Sequence, residues 1–262
     1  METEPAGWGS TDDRGPKPDR ERLAFFLVSL SAGLAGAYLL LVFLSFNSRN
    51  QAFRGLVNDP GWDHYLGGPL MAANVLASIL ILGCRPGKEW TTRAWTLLIV
   101  ALVNGAFWCV DHAHFFGWDQ ADHGRLQDPV WILWIRCLAL VRVVTLAELA
   151  ALVAAEPGST SFSPLRGQTI RIAVTAFLMW LFFEATHVDA QQAPPRWLPI
   201  MDLASYGLYV GCILTRALSS ISLAILAAAA FLASSRRIDA ARATEYSWGA
   251  GVDDPGGAIV AR

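Results

Sequence analysis

Two short segments of this chain each place an acid three residues before a histidine. Asp111 precedes His114 in "DHAH", and Glu184 precedes His187 in "EATH". Residues three apart share one face of an α-helix, so each segment would present a carboxylate and an imidazole together. Such pairs on facing helices bind iron in di-iron bundles, and two histidines can bind haem from opposite sides. These four residues form the predicted metal site, with a transition metal or haem as the candidate cofactor.

The same two acids favour a second chemistry. In isoprenoid cyclases a protonated carboxylic acid starts the reaction, and aromatic faces stabilise the cations that form. Asp111 and Glu184 are therefore also the candidate catalytic acid and base of an intramembrane lipid enzyme. The surrounding aromatic residues fit such a pocket, but they equally fit an aromatic belt at a membrane interface, where polar residues simply end a helix. These aromatic residues are Trp108, Phe115, Phe116, Trp118, Trp131, Trp134, Trp180, Phe182 and Phe183.

Three arginines interrupt apolar runs of the sequence. Arg136 and Arg142 lie in one run, and Arg216 lies midway along another. A charge at the bilayer centre costs about 2.5–3.5 kcal/mol on insertion scales, and it nearly always faces the protein interior. We therefore expect these arginines to bind a cofactor, such as the propionates of haem, and the deeper Arg142 and Arg216 to hold an anionic head group or a quinone oxygen. The structural alternatives are an Asp111–Arg136 pair and a Glu148 that neutralises one of the deeper arginines.

The composition indicates a membrane protein with several spans. Of 262 residues, 54% are hydrophobic and 16% are charged, whereas soluble domains average about 25% charged residues. A spanning helix needs about 20 mostly apolar residues. The sequence thus predicts an all-α bundle of six transmembrane helices over residues 23–234, between disordered cytoplasmic tails at 1–22 and 235–262. The predicted spans are Leu23–Phe46, Leu66–Cys84, Ala94–Phe116, Pro129–Ala155, Thr169–Val188 and Leu203–Ser234.

The distribution of positive charge predicts the orientation of this bundle. Both tails and the loops at 85–93 and 156–171 hold 13 lysines and arginines, against 4 in the other three loops. Cytoplasmic loops carry the excess of these residues. We therefore expect a multi-pass protein of the cell membrane with both termini in the cytoplasm. In that orientation the acid–histidine pairs face the extracytoplasmic side.

The spacing of these polar residues suggests an internal repeat of three helical hairpins, each about 73 residues long. The first hairpin lacks both the acid–histidine pair and the intramembrane arginine. The matched pairs are Arg93 with Arg166, Asp111 with Glu184 and His114 with His187 at an offset of 73, and Arg142 with Arg216 at an offset of 74.

Several classes of function are disfavoured by composition. The net charge of −2 argues against nucleic acid as a partner, since proteins that bind it usually carry a basic face. The only lysines, Lys17 and Lys88, lie outside the apolar runs, so a retinal-type Schiff base within the bundle is excluded. The expected partners are membrane lipids and other membrane subunits.

Three hypotheses of function remain. The first is a metal- or haem-binding redox or accessory subunit with an outward-facing acid–histidine site. The second is a structural or carrier-like bundle whose charges pair internally. The third is a lipid or isoprenoid enzyme, similar in chemistry to a cyclase, that uses the two carboxylates.

Overall fold

The predicted all-α class and its six membrane-spanning helices are confirmed. The computed structural model describes residues 17–57, 61–111, 129–155, 162–192 and 198–249. These residues form seven α-helices, and all but the short α2 are long and apolar enough to cross a membrane. The helices are α1 Pro18–Asn47, α2 Gln51–Val57, α3 Gly61–Leu82, α4 Lys88–Asp111, α5 Pro129–Ala154, α6 Phe162–Gln192 and α7 Leu198–Gly249.

Two helices extend into segments that we expected to be disordered tails. The first helix begins at Pro18, and α7 continues to Gly249, so residues 18–22 and 235–249 are helical. At 1.5 Å per residue α7 is about 78 Å long, more than twice the roughly 30 Å hydrocarbon thickness of a bilayer. The extensions are held by tertiary contacts of Glu21, Ser234 and Arg237. Composition alone suggested solvated tails because it does not record those contacts.

The six long helices pack as a closed ring. Each packs against the next long helix in the chain, and α7 returns to pack along α1. The last helix also contacts α5 across the ring. As a result α7 touches α1, α5 and α6, so side chains from these four helices can meet inside the membrane.

Small residues allow a close approach between α1 and α7. A Cβ atom at Gly36 would lie 2.7 Å from Ile221 Cγ1 and 3.2 Å from the Ala217 carbonyl oxygen. Nearby, Ser29 Oγ donates a hydrogen bond of 3.0 Å to the Ala224 carbonyl oxygen. Membrane helices associate through such close backbone approach and interhelical hydrogen bonds, because lipid is as apolar as their side chains.

A buried carboxylate joins three separate segments at one end of the bundle. Glu21 is fully buried and accepts hydrogen bonds from Arg85 Nε at 2.5 Å and from Ser234 Oγ at 2.6 Å. Arg237 forms a second ion pair with the same carboxylate. The start of α1, the α3–α4 connection and the second half of α7 are thereby held together.

The described parts of the segments rich in positive charge lie at this same end. Beside Glu21, the backbone N–H of Lys17 donates to the Cys84 carbonyl oxygen at 2.9 Å. Burial and the nearby Glu21 carboxylate raise the pKa of the Cys84 thiol to about 12. Helices α4 and α6 also begin at this end, and α5 ends there. We refer to it as the arginine-rich end, formed by residues 17–21, 84–93, 148–155, 162–166 and 234–237.

Replacement of Gly36 by alanine tests the close contact between α1 and α7. The added methyl group would overlap Ile221 and should cost about 1–3 kcal/mol of overpacking, seen as a lower midpoint of thermal unfolding in mild detergent. Gly33→Ala is the matched control, because its Cβ would lie 3.8 Å from Ala224 Cβ, an ordinary contact. Equal midpoints for the two variants would contradict this packing.

Replacement of Glu21 by glutamine tests the buried ion-pair cluster. The side chain keeps its size, but Arg85 and Arg237 lose their carboxylate, which should cost about 3 kcal/mol. We expect a cost at the low end of the range measured when a buried ion pair is broken, because each arginine keeps 24% of its side chain exposed. Glu89→Gln, which removes an exposed partner of Arg93, should cost less than about 1 kcal/mol. Similar unfolding midpoints for both variants would show that the cluster is not a structural lock.

Candidate functional site

Three arginines from two helices line one cavity inside the bundle. The cavity has a volume of about 180 Å³ and lies among α1, α5, α6 and α7. Apart from the arginines its wall is largely apolar, with two serine hydroxyls from α7. The lining residues are Ala35, Leu39, Arg136, Ala139, Leu140, Arg142, Val143, Ala173, Ala176, Phe177, Trp180, Arg216, Ser219 and Ser220.

The arginines enter this cavity at two depths. Arg142 lies near the middle of the α5 span, Ile132–Ala154. Arg136 lies six residues earlier, or about 9 Å closer to the end of the bundle opposite the arginine-rich end. The charges of Arg136 and Arg142 both act electrostatically on Arg216. The ring therefore brings together three guanidinium groups from two parts of the sequence.

Arg136 has two neighbours on α6. Its guanidinium carbon lies 5.7 Å from the ring centroid of Trp180, a distance that allows a cation–π interaction. Glu184 follows Trp180 by one helical turn, and its carboxylate acts electrostatically on Arg136. Glu184, predicted as a metal ligand and a catalytic acid, is thus placed beside the arginine cavity.

The two deeper arginines, Arg142 and Arg216, have no carboxylate that offsets their charge within the described residues. No carboxylate there acts electrostatically on Arg142 or Arg216. The Nε–H groups of Arg136 and Arg142 and the hydroxyl of Ser219 are buried without a hydrogen-bond partner in the part of the chain that the structure covers. A guanidinium group cannot lose its proton to avoid this cost. In the described part of the chain, the site is therefore rich in cationic donors and poor in acceptors.

Our expectation that Glu148 neutralises one of the deeper arginines is wrong. The Glu148 carboxylate lies 3.5 Å from Arg93 Nη2 and 3.9 Å from Arg166 Nη1. Glu148 therefore forms its ion pairs at the arginine-rich end, where α4 and α6 begin. Six residues separate Glu148 from Arg142 on α5, which on a helix places the two side chains on different faces as well as at different depths.

Two residue pairs matched by the predicted repeat meet in space. Arg93 and Arg166 contact the same Glu148 carboxylate, and Arg142 and Arg216 line the same cavity. These contacts agree with a pseudo-symmetric arrangement of the second and third hairpins. The repeat itself stays a prediction.

The acid–histidine pairs are described only in part. His114, His112 and His123 lie outside the described residues, as do the side chains of Asp111, at the end of α4, and His187, within α6. The Asp111–Arg136 pair also stays a prediction for this reason. Within the described residues no group of three or more His, Cys, Asp or Glu side chains could hold a metal ion. Because those residues include no histidine side chain, the predicted metal site stays a prediction.

A second cavity meets the first at Arg142. It has a volume of about 210 Å³ and lies among α1, α3, α4, α5 and α7. Arg142 and Ala35 line both cavities. On the far side Trp108 packs against two glycines, and a Cβ at Gly67 would lie 2.8 Å from Trp108 Nε1. The lining also includes Asn74 and Ser31 as polar groups.

Sequence reasoning identified the three arginines but not their surroundings. Ser219 follows Arg216 by three residues and so shares its helical face, a signal that was present in the sequence. Trp180 is one of many aromatic residues, and no spacing singles it out as the partner of Arg136. Glu21 was assigned to a solvated tail, and no local pattern reveals its burial.

Comparisons with known proteins give no family. No protein-family model matches the chain, and neither a curated protein nor a solved structure matches it. The geometry of the cavity is therefore the basis for the function of this protein that we propose.

Replacement of Arg142 by methionine tests whether this arginine supports function rather than folding. An uncompensated cation in the bundle interior is costly, so its removal should raise the midpoint of thermal unfolding of lipid-depleted protein by a few degrees. Arg85→Met, which removes a partner of Glu21, should lower the midpoint. A midpoint lowered equally by both replacements would show that Arg142 is a structural residue.

Proposed function

We propose that this multi-pass membrane protein binds the anionic head group of a lipid-like molecule inside the bilayer, at the cavity of Arg136, Arg142 and Arg216. The main observation behind the proposal is that three guanidinium groups line one cavity. Among the described residues, only one carboxylate interacts electrostatically with them. Arginine is well suited to phosphate and carboxylate groups because its planar fork donates several hydrogen bonds. Charged residues within membrane spans commonly mark such ligand pathways.

The wall of the cavity favours an amphiphile over a fully water-soluble anion. Most of the lining side chains are apolar, among them Leu39, Leu140, Val143 and Phe177. Binding sites for amphiphiles combine an apolar wall with a few convergent polar groups that fix the head. The cavity that continues beyond Arg142 is also mainly apolar. Binding of an anionic head group is a specific form of the carrier-like hypothesis. It differs from that hypothesis in one respect, because the arginine charges are compensated by a bound ligand and not by internal ion pairs.

The orientation is part of the same proposal. We place both termini in the cytoplasm because the positively charged segments gather at the arginine-rich end, the side that cytoplasmic loops would form. Arg136 then lies on the extracytoplasmic side of the deeper arginines. A reporter that is active only in the cytoplasm, fused after Arg262, tests this placement, and an inactive fusion would contradict it.

The metal or haem hypothesis and the enzyme hypothesis use neighbouring residues. Haem would place its propionates on the arginines and its iron between His114 and His187. Asp111 and Glu184 would act as acid and base in a lipid or isoprenoid enzyme. An absorption spectrum and elemental analysis of purified protein test the first hypothesis. A Soret band that disappears in His187→Ala would favour haem over a lipid head group as the ligand of the arginines.

Lipid binding to the detergent-purified protein tests the proposed function directly. We expect short-chain phosphatidylglycerol to bind and to raise the unfolding midpoint, whereas phosphatidylcholine with the same acyl chains should bind at least several-fold more weakly. Arg142→Gln should weaken phosphatidylglycerol binding by about tenfold, since one charge-assisted hydrogen bond contributes about 1.5–3 kcal/mol. Native mass spectrometry or a thermal-shift titration gives both affinities.

Arg171→Gln is the matched control for this experiment. Arg171 lies within the α6 span but is exposed on the bundle surface, so its loss should leave the affinity within about twofold. Equal binding of the two lipids, or equal effects of the Arg142 and Arg171 replacements, would contradict an internal anion site.

A further inference from the structure

The charge balance of the arginine cavity indicates which anionic head group it accommodates. Three guanidinium groups line the cavity. Among the described residues, only one carboxylate interacts electrostatically with them, that of Glu184 with Arg136. Among the described residues, this set of three guanidinium groups and one carboxylate therefore carries two net positive charges. A monoanion would leave one of these charges uncompensated within the membrane-spanning part of the bundle, where an unpaired ion is costly.

We propose that the ligand carries a doubly charged phosphate group, that is, a phosphomonoester, rather than a carboxylate or a phosphodiester. This inference rests on the proposed function and specifies its ligand. A phosphomonoester carries a charge of about −1.5 to −2 at neutral pH and offers three strong acceptor oxygens. Such a charge matches that of the cavity, whereas a phosphodiester or a fatty acid carries only one negative charge.

The donors around the cavity also fit a group with several terminal oxygens. Arg142 comes from α5, while Arg216 and Ser219 come from one face of α7. The hydroxyl of Ser219 is buried without a partner in the described part of the chain. Donors that approach from two helices can bond different oxygens of one phosphate, whereas a carboxylate has only two oxygens in one plane.

The role of Arg136 differs from that of the deeper pair. Trp180 and Glu184 already orient and partly neutralise it, so Arg142 and Arg216 supply most of the uncompensated charge. Removal of Arg136 would take away one of the three positive charges while Glu184 stays, and the net charge of the described set would fall to one. The preference for a doubly charged ligand should then disappear, even though two arginines remain.

Competition among ligands that share acyl chains tests this charge assignment. In detergent at neutral pH, dioctanoyl phosphatidate should bind the full-length protein about tenfold more tightly than dioctanoyl phosphatidylglycerol or octanoate. Arg136→Gln should reduce this ratio to about one, and Glu184→Gln, which removes the negative charge, should preserve or increase it. Arg171→Gln serves again as the surface control and should leave the ratio unchanged.

The outcomes separate this inference from the proposed function. If phosphatidate and phosphatidylglycerol bind with equal affinity, and Arg142→Gln abolishes the binding of both lipids, the charge assignment is overturned and the proposed function stays intact. Equal affinity for anionic and zwitterionic lipids would overturn the charge assignment and the proposed function alike.

Inorganic phosphate is the last competitor to be tested. If it displaces phosphatidate at millimolar concentration and raises the unfolding midpoint by itself, the doubly charged phosphate is supported, but its source is a soluble anion rather than a lipid.

Discussion

The structure is governed by the cost of carrying charge into a bilayer. A charged side chain there needs an opposite charge, hydrogen bonds or a ligand, since little water is present to solvate it. This chain meets the requirement in two ways. At the arginine-rich end Glu21 is enclosed by Arg85, Arg237 and Ser234. In the middle of the bundle, Arg142 lines a cavity without a described carboxylate acting on it.

These two solutions divide the molecule into a packed part and a binding part. The buried apolar cluster that includes Phe25, Ile81, Leu149 and Leu226 lies toward the arginine-rich end. The cavities lie nearer the middle of the spans, where Arg142 separates them. The long α7 passes through both parts, since it contacts α1 near Glu21 and supplies a wall of the cavity. Stability is thus concentrated where ions are paired, and the uncompensated charge is confined to a region with space for a ligand.

Much of the fold could be predicted from sequence, because hydropathy and length are properties of local segments. The six spans and the unusual positions of Arg136, Arg142 and Arg216 followed from apolar runs and the charges within them. The partners of those charges did not follow. Glu148 lies on the same helix as Arg142 yet pairs with Arg93 and Arg166, because a step of six residues changes both depth and face. The acid–histidine site stays a prediction from the sequence, since its histidine side chains lie outside the described residues.

The sequence by itself determined that this chain is an all-α membrane protein and that Arg136, Arg142 and Arg216 lie deep within its apolar runs. Both properties depend on transfer of each segment from water to lipid, which every segment undergoes largely independently. Only the tertiary structure decided that Arg216 lies beside residues about 75 positions earlier, and that Glu21 is a structural lock rather than part of a tail. Those outcomes depend on which helices become neighbours. Close contacts such as Gly36 against Ala217 decide that, and hydropathy carries no record of them because one apolar surface resembles another.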